Sequence, residues 1–419
     1  MRSMWRSSPR SLASAHLRRF GAMAAAVFEI TPGVQKYAWG KQGASSKVAQ
    51  LGLSASHVEA STPYAELWMG THPALPSTIH DSGIPLLEHL RKHPELLGSA
   101  RETYQGDLPF LFKILSIRTA LSIQAHPDKT FAKELHAKQP NVYKDPNHKP
   151  EMALALTDFV ALCGFRPFGI IAEYLQTVPQ LARLVPASEL DAFIADQDAE
   201  TFKDVFASIM KADPSLVKEQ LNDLLLAIPA SLEPTLSDLI KEIESQYPGD
   251  IGVFCLFLLN IVRLSPGEAI FLGAGEPHAY ISGDIVECMA TSDNVLRAGL
   301  TPKPRDVTAL LHSLTYKSGL PDIHRVFPKP LSTTGTSLIY DPPVPEFSVL
   351  STQLAAGASE KQRAFSGPSL AIVTSGSGTV LFDGGELPLR EGSVFFVASG
   401  TEVTVQAGST LVVNRAFNE

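Results

Sequence analysis

The sequence predicts a mainly β protein interrupted by one block of helices, and three observations carry that expectation. Short apolar runs bounded by Pro, Asn, Asp and Gly fill residues 24–165, the pattern of strands joined by tight turns. Over residues 166–250 the apolar spacing becomes helical. A glycine-turn-strand pattern near Gly267 then returns near Gly392, which predicts two barrels of one kind.

Taken in order, the first 22 residues stand apart. They carry Arg2, Arg6, Arg10, Arg18 and Arg19, several serines and no acid. Such a stretch reads either as a mitochondrial transit peptide or, the preferred reading, as an extension ahead of a start at Met23, and in both cases it is set aside from the fold. Phe110–Ile117 and Met152–Leu156 read as buried strands. Helical spacing is clear in Ile170–Leu181, Glu189–Ile194, Phe202–Met210 and Leu216–Ala227. Asp213-Pro214-Ser215 opens one helix, because proline suits the first turn, and Tyr247-Pro248-Gly249-Asp250 closes the block. After the Pro266-Gly267 turn, Ala269–Leu272 reads as a strand, and Gly273, Gly275 and Pro277 shape a loop that delivers His278. Pro342, Pro343 and Pro345 mark the passage into a second strand-rich region. The expected domains are therefore residues 23–165 with 260–330, a helical insertion at 166–259, and a C-terminal unit at 331–419. Laying Gly267 on Gly392 puts Val403 opposite His278, so only the first barrel is expected to carry a metal ligand there.

Composition narrows the class. Of 419 residues, 44% are hydrophobic and 19% charged, ordinary for a globular protein with a large core. The longest apolar run, Val253–Val262, is too short for a bilayer span of about 20 residues, so no membrane partner is expected. The three cysteines, Cys163, Cys255 and Cys288, form no Cys-x-x-Cys pair, which argues against a disulfide framework or a thiolate zinc site and fits a reducing compartment. Net charge is −8, and −13 once the five N-terminal arginines are removed from the 35 basic residues against 43 acidic ones. With no basic stripe, nucleic acid is not an expected partner. An anionic small substrate stays open, since only charge local to a site decides that.

Four segments concentrate chemistry. In Leu121-Ser122-Ile123-Gln124-Ala125-His126-Pro127, strand alternation puts Ser122, Gln124 and His126 on one face. Polar groups there need partners, either ordinary hydrogen bonds or a metal. In Asn147-His148-Lys149-Pro150-Glu151, a carboxylate at the mouth of a buried strand can bind a divalent cation, or simply pair with Lys149. Gly275-Glu276-Pro277-His278 presents a histidine from a tight loop. In the polar stretch Asp284–Lys303, Arg297 and Lys303 can clamp a phosphate, although an ordinary charged loop has the same composition.

Together these segments resemble the type I phosphomannose isomerases (mannose-6-phosphate isomerases), zinc enzymes of the cupin fold. The resemblance runs from about residue 27 to the C-terminus through Gln35–Gly40, Tyr64–Pro73, Leu108–Lys113, Ser122–Pro127, Asn147–Glu151, Gly164–Pro167, Gly275–Tyr280 and Ser292–Lys303. It implies cupin-type (jelly-roll) β-barrels with an inserted α-helical domain and a metal-free C-terminal barrel. It also implies one Zn²⁺ per chain on Gln124, His126, Glu151 and His278, with Arg297 as the essential arginine. Ser122, Lys149, Glu287, Asp293 and Lys303 match positions around the substrate pocket. The implied reaction interconverts mannose 6-phosphate and fructose 6-phosphate and feeds GDP-mannose synthesis, and a monomer in the cytoplasm is expected. Glu287 or Lys149 would be the base, with Glu287 preferred. An iron dioxygenase on His126, Glu151 and His278, or a sugar-sensing barrel without turnover, are the competing expectations.

Overall fold

The computed structural model describes residues 24–419; the N-terminal stretch singled out above lies outside the described residues. Two large antiparallel sheet systems dominate, with the helical block inserted into the first. The hub of the first is the 13-residue strand His278–Ala290. Its C-terminal half pairs with Phe110–Ile117 on one side and Glu151–Ala155 on the other. Its N-terminal half pairs with Phe159–Phe165, and His278 itself pairs with Gln124. The change of partners falls at Gly283, where φ is +119° and a Cβ would lie 2.6 Å from the Asp158 carbonyl oxygen. Only glycine turns this corner without strain.

The inserted block begins with Phe168–Thr177 and ends with Pro234–Gln246. Asp213 caps Pro214–Leu226 by accepting from the amides of Ser215 (2.8 Å) and Leu216 (3.3 Å). The helix Pro234–Gln246 is absent from the four stretches expected above, although Leu236, Leu239, Ile240 and Ile243 line its buried face at helical spacing. Phe165, at the end of its strand, meets Phe202 at 4.9 Å and Phe206 at 5.2 Å between ring centroids, edge to face. Ile123 and Ala125 are fully buried in this same core. The short strand Ile123–Ala125 therefore turns its apolar side to the helices and its other side, Gln124 and the approach to His126, to the barrel.

The second barrel faces an eight-stranded sheet with the four-stranded sheet Ser359–Gln362, Val403–Ala407, Ser377–Phe382 and Gly385–Arg390. The internal repeat is structural. Gly267 (φ +88°) and Gly392 (φ +86°) make the same left-handed turn, and strands Ala269–Leu272 and Val394–Val397 follow two residues later. His278 and Val403 each open the next strand. Val403 is packed among Val405, Leu411 and Val397 in an apolar core.

The expected division at residue 331 needs one correction. Val27–Thr31, placed by sequence in the first barrel, joins a sheet of the second on one edge, where Val27 pairs with Val397 and Phe28 with Phe396, while on the other edge Ile30 and Thr31 pair with Ile79 and Thr78. Phe28 stacks on Phe396 with ring centroids 5.0 Å apart, so apolar packing covers an edge that Val394–Val397 would otherwise leave open. After Pro32 the chain crosses back, and Gly33–Gln35 pairs with Glu66–Met69 in the first sheet. Among the described residues no helix is long and apolar enough to cross a membrane.

Candidate metal centre

Three side chains, two that open strands (Glu151 and His278) and one just past the end of a third (His126, after Ile123–Ala125), meet at one point. His126 and His278 are fully buried, and Glu151 is 1% exposed. Nε2 of His126 lies 3.4 Å from Oε1 of Glu151, and Nε2 of His278 lies 3.3 Å from Oε2. Among the described residues, both Nε2 atoms and Oε2 of Glu151 lack a hydrogen-bond partner. The other ring nitrogens are engaged: Nδ1 of His126 is 2.7 Å from the Asn294 carbonyl and Nδ1 of His278 is 2.9 Å from the Glu276 carbonyl. Each Nδ1–H therefore donates to a carbonyl, which turns the Nε2 lone pairs toward the carboxylate. Buried lone pairs facing one another are costly unless a cation joins them, and the ligand atoms all lie within 4.8 Å of each other. An N₂O donor set of this kind suits Zn²⁺. Gln124 sits directly across the sheet from His278 on one side and Arg297 on the other, so the three side chains share a face.

Burial sets the charge state. It pushes the His126 imidazole down to about 4, outweighing the carboxylate beside it, so the ring is a neutral ligand at ordinary pH. Burial alone would raise the Glu151 carboxyl, but Lys149 (Nζ to Oε1, 3.0 Å) and then His126 hold it well below the usual range. This fully buried carboxylate is therefore an anion.

Beside the centre opens a cavity of about 340 Å³, lined among others by Lys149, Asp293, Arg297 and Lys303. These are four of the residues singled out by sequence. Burial lowers the Arg297 guanidinium, and among the described residues neither Arg297 nor Lys303 is ion-paired, leaving two cations available to an anionic ligand. Asp293 is held below its ordinary value first by its hydrogen bond with His72, whose Nε2 is 3.4 Å away. Two sequence candidates lie elsewhere. Ser122 is half-buried just ahead of the strand Ile123–Ala125 and is not among the lining residues. Glu287 is 3% exposed and sits behind Lys113, to which it is paired at 3.2 Å.

Lys113 is a site residue that sequence reasoning did not single out. It lines the cavity, bridges Glu287 and Glu66 (3.4 Å), and lies 5.0 Å from the Trp68 ring centroid. Burial would lower its ammonium, but Glu66 and Glu287 reverse this and raise it above the usual range. Glu287 itself is raised, because burial outweighs the lysine. Trp68 Nε1 donates to Glu66 at 2.5 Å. A signal was present: Lys113 interrupts the wholly buried strand Phe110–Ile117, where a charge must be paired.

Comparison with known proteins matches this architecture. Family models of type I phosphomannose isomerase match three stretches: the catalytic domain over residues 27–168, the helical insertion domain over 176–259, and the C-terminal domain over 337–384. The mannose-6-phosphate isomerase of Cryptococcus neoformans is 44% identical, with 95% of this chain and 100% of that protein aligned. That of Schizosaccharomyces pombe is 42% identical over 92% and 98%. Among solved structures, an arginine-to-alanine mutant of phosphomannose isomerase from Salmonella typhimurium superposes with a TM-score of 0.82 at 33% identity, covering 94% of this chain and all of that one. A zinc-bound mannose 6-phosphate isomerase gives 0.82 at 32% identity with the same coverage. The relatives align across both barrels and the insertion, including the metal-centre strands between the matched family segments, and the chain belongs to the type I phosphomannose isomerase family.

Proposed function

We propose that the chain is a zinc-dependent aldose–ketose isomerase that interconverts mannose 6-phosphate and fructose 6-phosphate and supplies mannose for GDP-mannose synthesis and glycosylation. One observation carries the reading: among the described residues, a buried set of unpaired lone pairs on His126, Glu151 and His278 adjoins a cavity with two cations that have no carboxylate partner, Arg297 and Lys303. The relatives' names and the zinc-bound structures support the substrate and the metal.

Gln124, His126, Glu151 and His278 would hold one Zn²⁺, with Gln124 through its amide oxygen. When bound, the ion supplies Lewis acidity toward the sugar's C1 and C2 oxygens without redox change. The chain's residues do the rest. Arg297 and Lys303 bind the phosphate, and Arg297 also steadies negative charge on the enediolate oxygens. Asp293, which lines the cavity, orients the open-chain sugar, whereas Ser122 stands off the cavity wall. The proton removed from C2 of the aldose is returned at C1 and the hydroxyl proton moves from O2 to O1, so atoms and charge balance over the reaction. For the group that carries the C2 proton we assign Lys149, acting as the neutral amine, which lines the cavity, rather than Glu287, which the sequence favoured. Glu287 keeps Lys113 charged from behind. We further propose a monomer in the cytoplasm with no nucleic-acid partner, in keeping with the acidic charge balance.

A coupled assay that follows fructose 6-phosphate formation from mannose 6-phosphate, on zinc-loaded and chelator-treated protein, tests the reading. Turnover that disappears with the metal and returns with Zn²⁺ is expected. Equal turnover in metal-free protein rejects the zinc role, and no turnover with bound zinc leaves the sugar-sensing alternative.

A further inference from the structure

We propose that Glu346, carried by the C-terminal barrel, is a positioning residue for the metal centre: it holds the segment bearing Lys149 and Glu151 in place through His148. The inference rests on the zinc-isomerase reading above.

Glu346 follows Pro342-Pro343-Val344-Pro345 and is 3% exposed. Its Oε1 lies 2.7 Å from Nε2 of His148 and 3.9 Å from Nζ of Lys129. Both partners belong to the first barrel and lie close in sequence to a metal ligand, His148 in the loop leading into the strand that Glu151 opens and Lys129 at the start of the helix Lys129–Lys138. His148 precedes Glu151 by three residues and Lys129 follows His126 by three. Lys129 is mostly exposed, so its contact is weak, and the burden falls on His148. A carboxylate this deeply buried has to be paired, and here its pairing is across the two barrels.

The segment that presents Glu346 is anchored in turn. Nδ2 of Asn418, next to the C-terminus, donates to the carbonyls of Pro345 (2.6 Å) and Glu346 (3.3 Å). On the other side the connection continues toward a ligand. The Asn147 carbonyl, beside His148, accepts from Nδ2 of Asn294 at 2.9 Å, and the Asn294 carbonyl accepts from Nδ1 of His126. Glu346 is thus joined through one loop to the backs of two ligands, Glu151 along the chain and His126 through Asn294. Removing a group that orients a ligand typically costs about 10–100-fold in metal affinity or activity. Glu346 does not line the substrate cavity, so it acts through His148 and not on the sugar. The metal-free barrel thereby supplies one wall of support for the metal centre.

The test uses full-length, zinc-loaded protein with Glu346→Ala, Glu346→Gln, His148→Ala and the double Ala variant. Three quantities are measured: the rate of zinc transfer to a chromogenic chelator, kcat and KM, and the melting temperature. Glu346→Ala is expected to speed zinc loss and lower kcat, each about tenfold, with KM within about twofold. Glu346→Gln keeps an acceptor oxygen for His148 and recovers most of both. The double variant is expected to be no worse than the poorer single one, because both remove one interaction. Wild-type zinc loss and kcat in the variants, with only the melting temperature lowered, overturns the proposal and makes the contact a plain inter-barrel tie. Additive losses in the double variant overturn it as well. If Glu346→Ala fails to fold, Glu346→Gln against His148→Ala carries the same comparison. A wild-type chain that holds no zinc rejects the isomerase reading and the clamp together, whereas zinc-holding variants that behave as wild type reject the clamp alone.

Discussion

Replacing Arg297 by alanine removes a half-buried guanidinium that has no carboxylate partner among the described residues and that shares its cavity with Lys303. An arginine fork on a phosphate or an enediolate makes two charge-assisted hydrogen bonds, each worth roughly 1.5–3 kcal/mol. The side chain is partly open to solvent, so the lower end applies, about 3–4 kcal/mol in all. At 1.4 kcal/mol per factor of ten, kcat/KM should fall by about 10²–10³. Bonds made equally in the ground and transition states appear in KM, and those made only to the enediolate appear in kcat. Both parameters should therefore move. Arg297→Lys keeps the charge without the planar fork and should recover about tenfold. The coupled fructose 6-phosphate assay reads the kinetics, and elemental analysis should find zinc unchanged, since Arg297 is not a proposed ligand. A folded, zinc-loaded Arg297→Ala within fivefold of wild type in kcat/KM would refute the reasoning.

Other perturbations separate the remaining roles. His126→Ala and His278→Ala should each lose stoichiometric zinc by elemental analysis and with it turnover; either variant retaining both metal and full activity is not missing a ligand. Lys149→Met should abolish solvent-proton exchange at C2 with zinc retained, whereas Glu287→Gln should slow turnover less; the reverse ranking returns the proton transfer to Glu287. Metal-free protein should lose stability on acidification, because burial holds both His126 and His324 at about 4 while each titrates near 6.5 when unfolded. Between those values the unfolded chain binds more protons, so stability is complete above about pH 6.5 and falls as pH drops toward 4, by roughly 3 kcal/mol for each histidine. Urea midpoints at pH 7, 5.5 and 4.5 measure this, and a flat profile contradicts it.

Much of this protein is written locally. The change from strand-like runs to helical spacing near residue 166 marks the insertion, because amphipathic period depends only on which face of one element is buried. The proline and aspartate at 213–214 open a helix where the sequence puts it, since capping is settled within one turn. The Gly267 and Gly392 turns are legible for the same reason: a left-handed backbone needs glycine whatever surrounds it. The three clustered ligands, His126, Glu151 and His278, are also legible in the sequence, though no single segment establishes them without the resemblance of the whole ordered set.

What only the tertiary structure decided is where distant pieces meet. Val27–Thr31 has the pattern of a strand, but its sheet is chosen by packing Phe28 on Phe396, nearly the whole chain away. Glu287 and Lys149 are both plausible proton carriers by residue type; burial behind Lys113 removes one from the cavity and leaves the other lining it. Lys113 and Glu346 do not stand out as site residues in the sequence, because a charge in an apolar strand or after a proline run has no local mark of its partner. The sequence by itself determined many of the strands and turns and the kinds of ligand atom, but not the helices Leu86–Lys92 and Lys129–Lys138 within the region read as strands, nor Pro234–Gln246. Which charges are paired and which are left free for a sugar phosphate was settled by long-range burial, because the cost of an unpaired charge depends on groups that folding alone brings within a few ångströms.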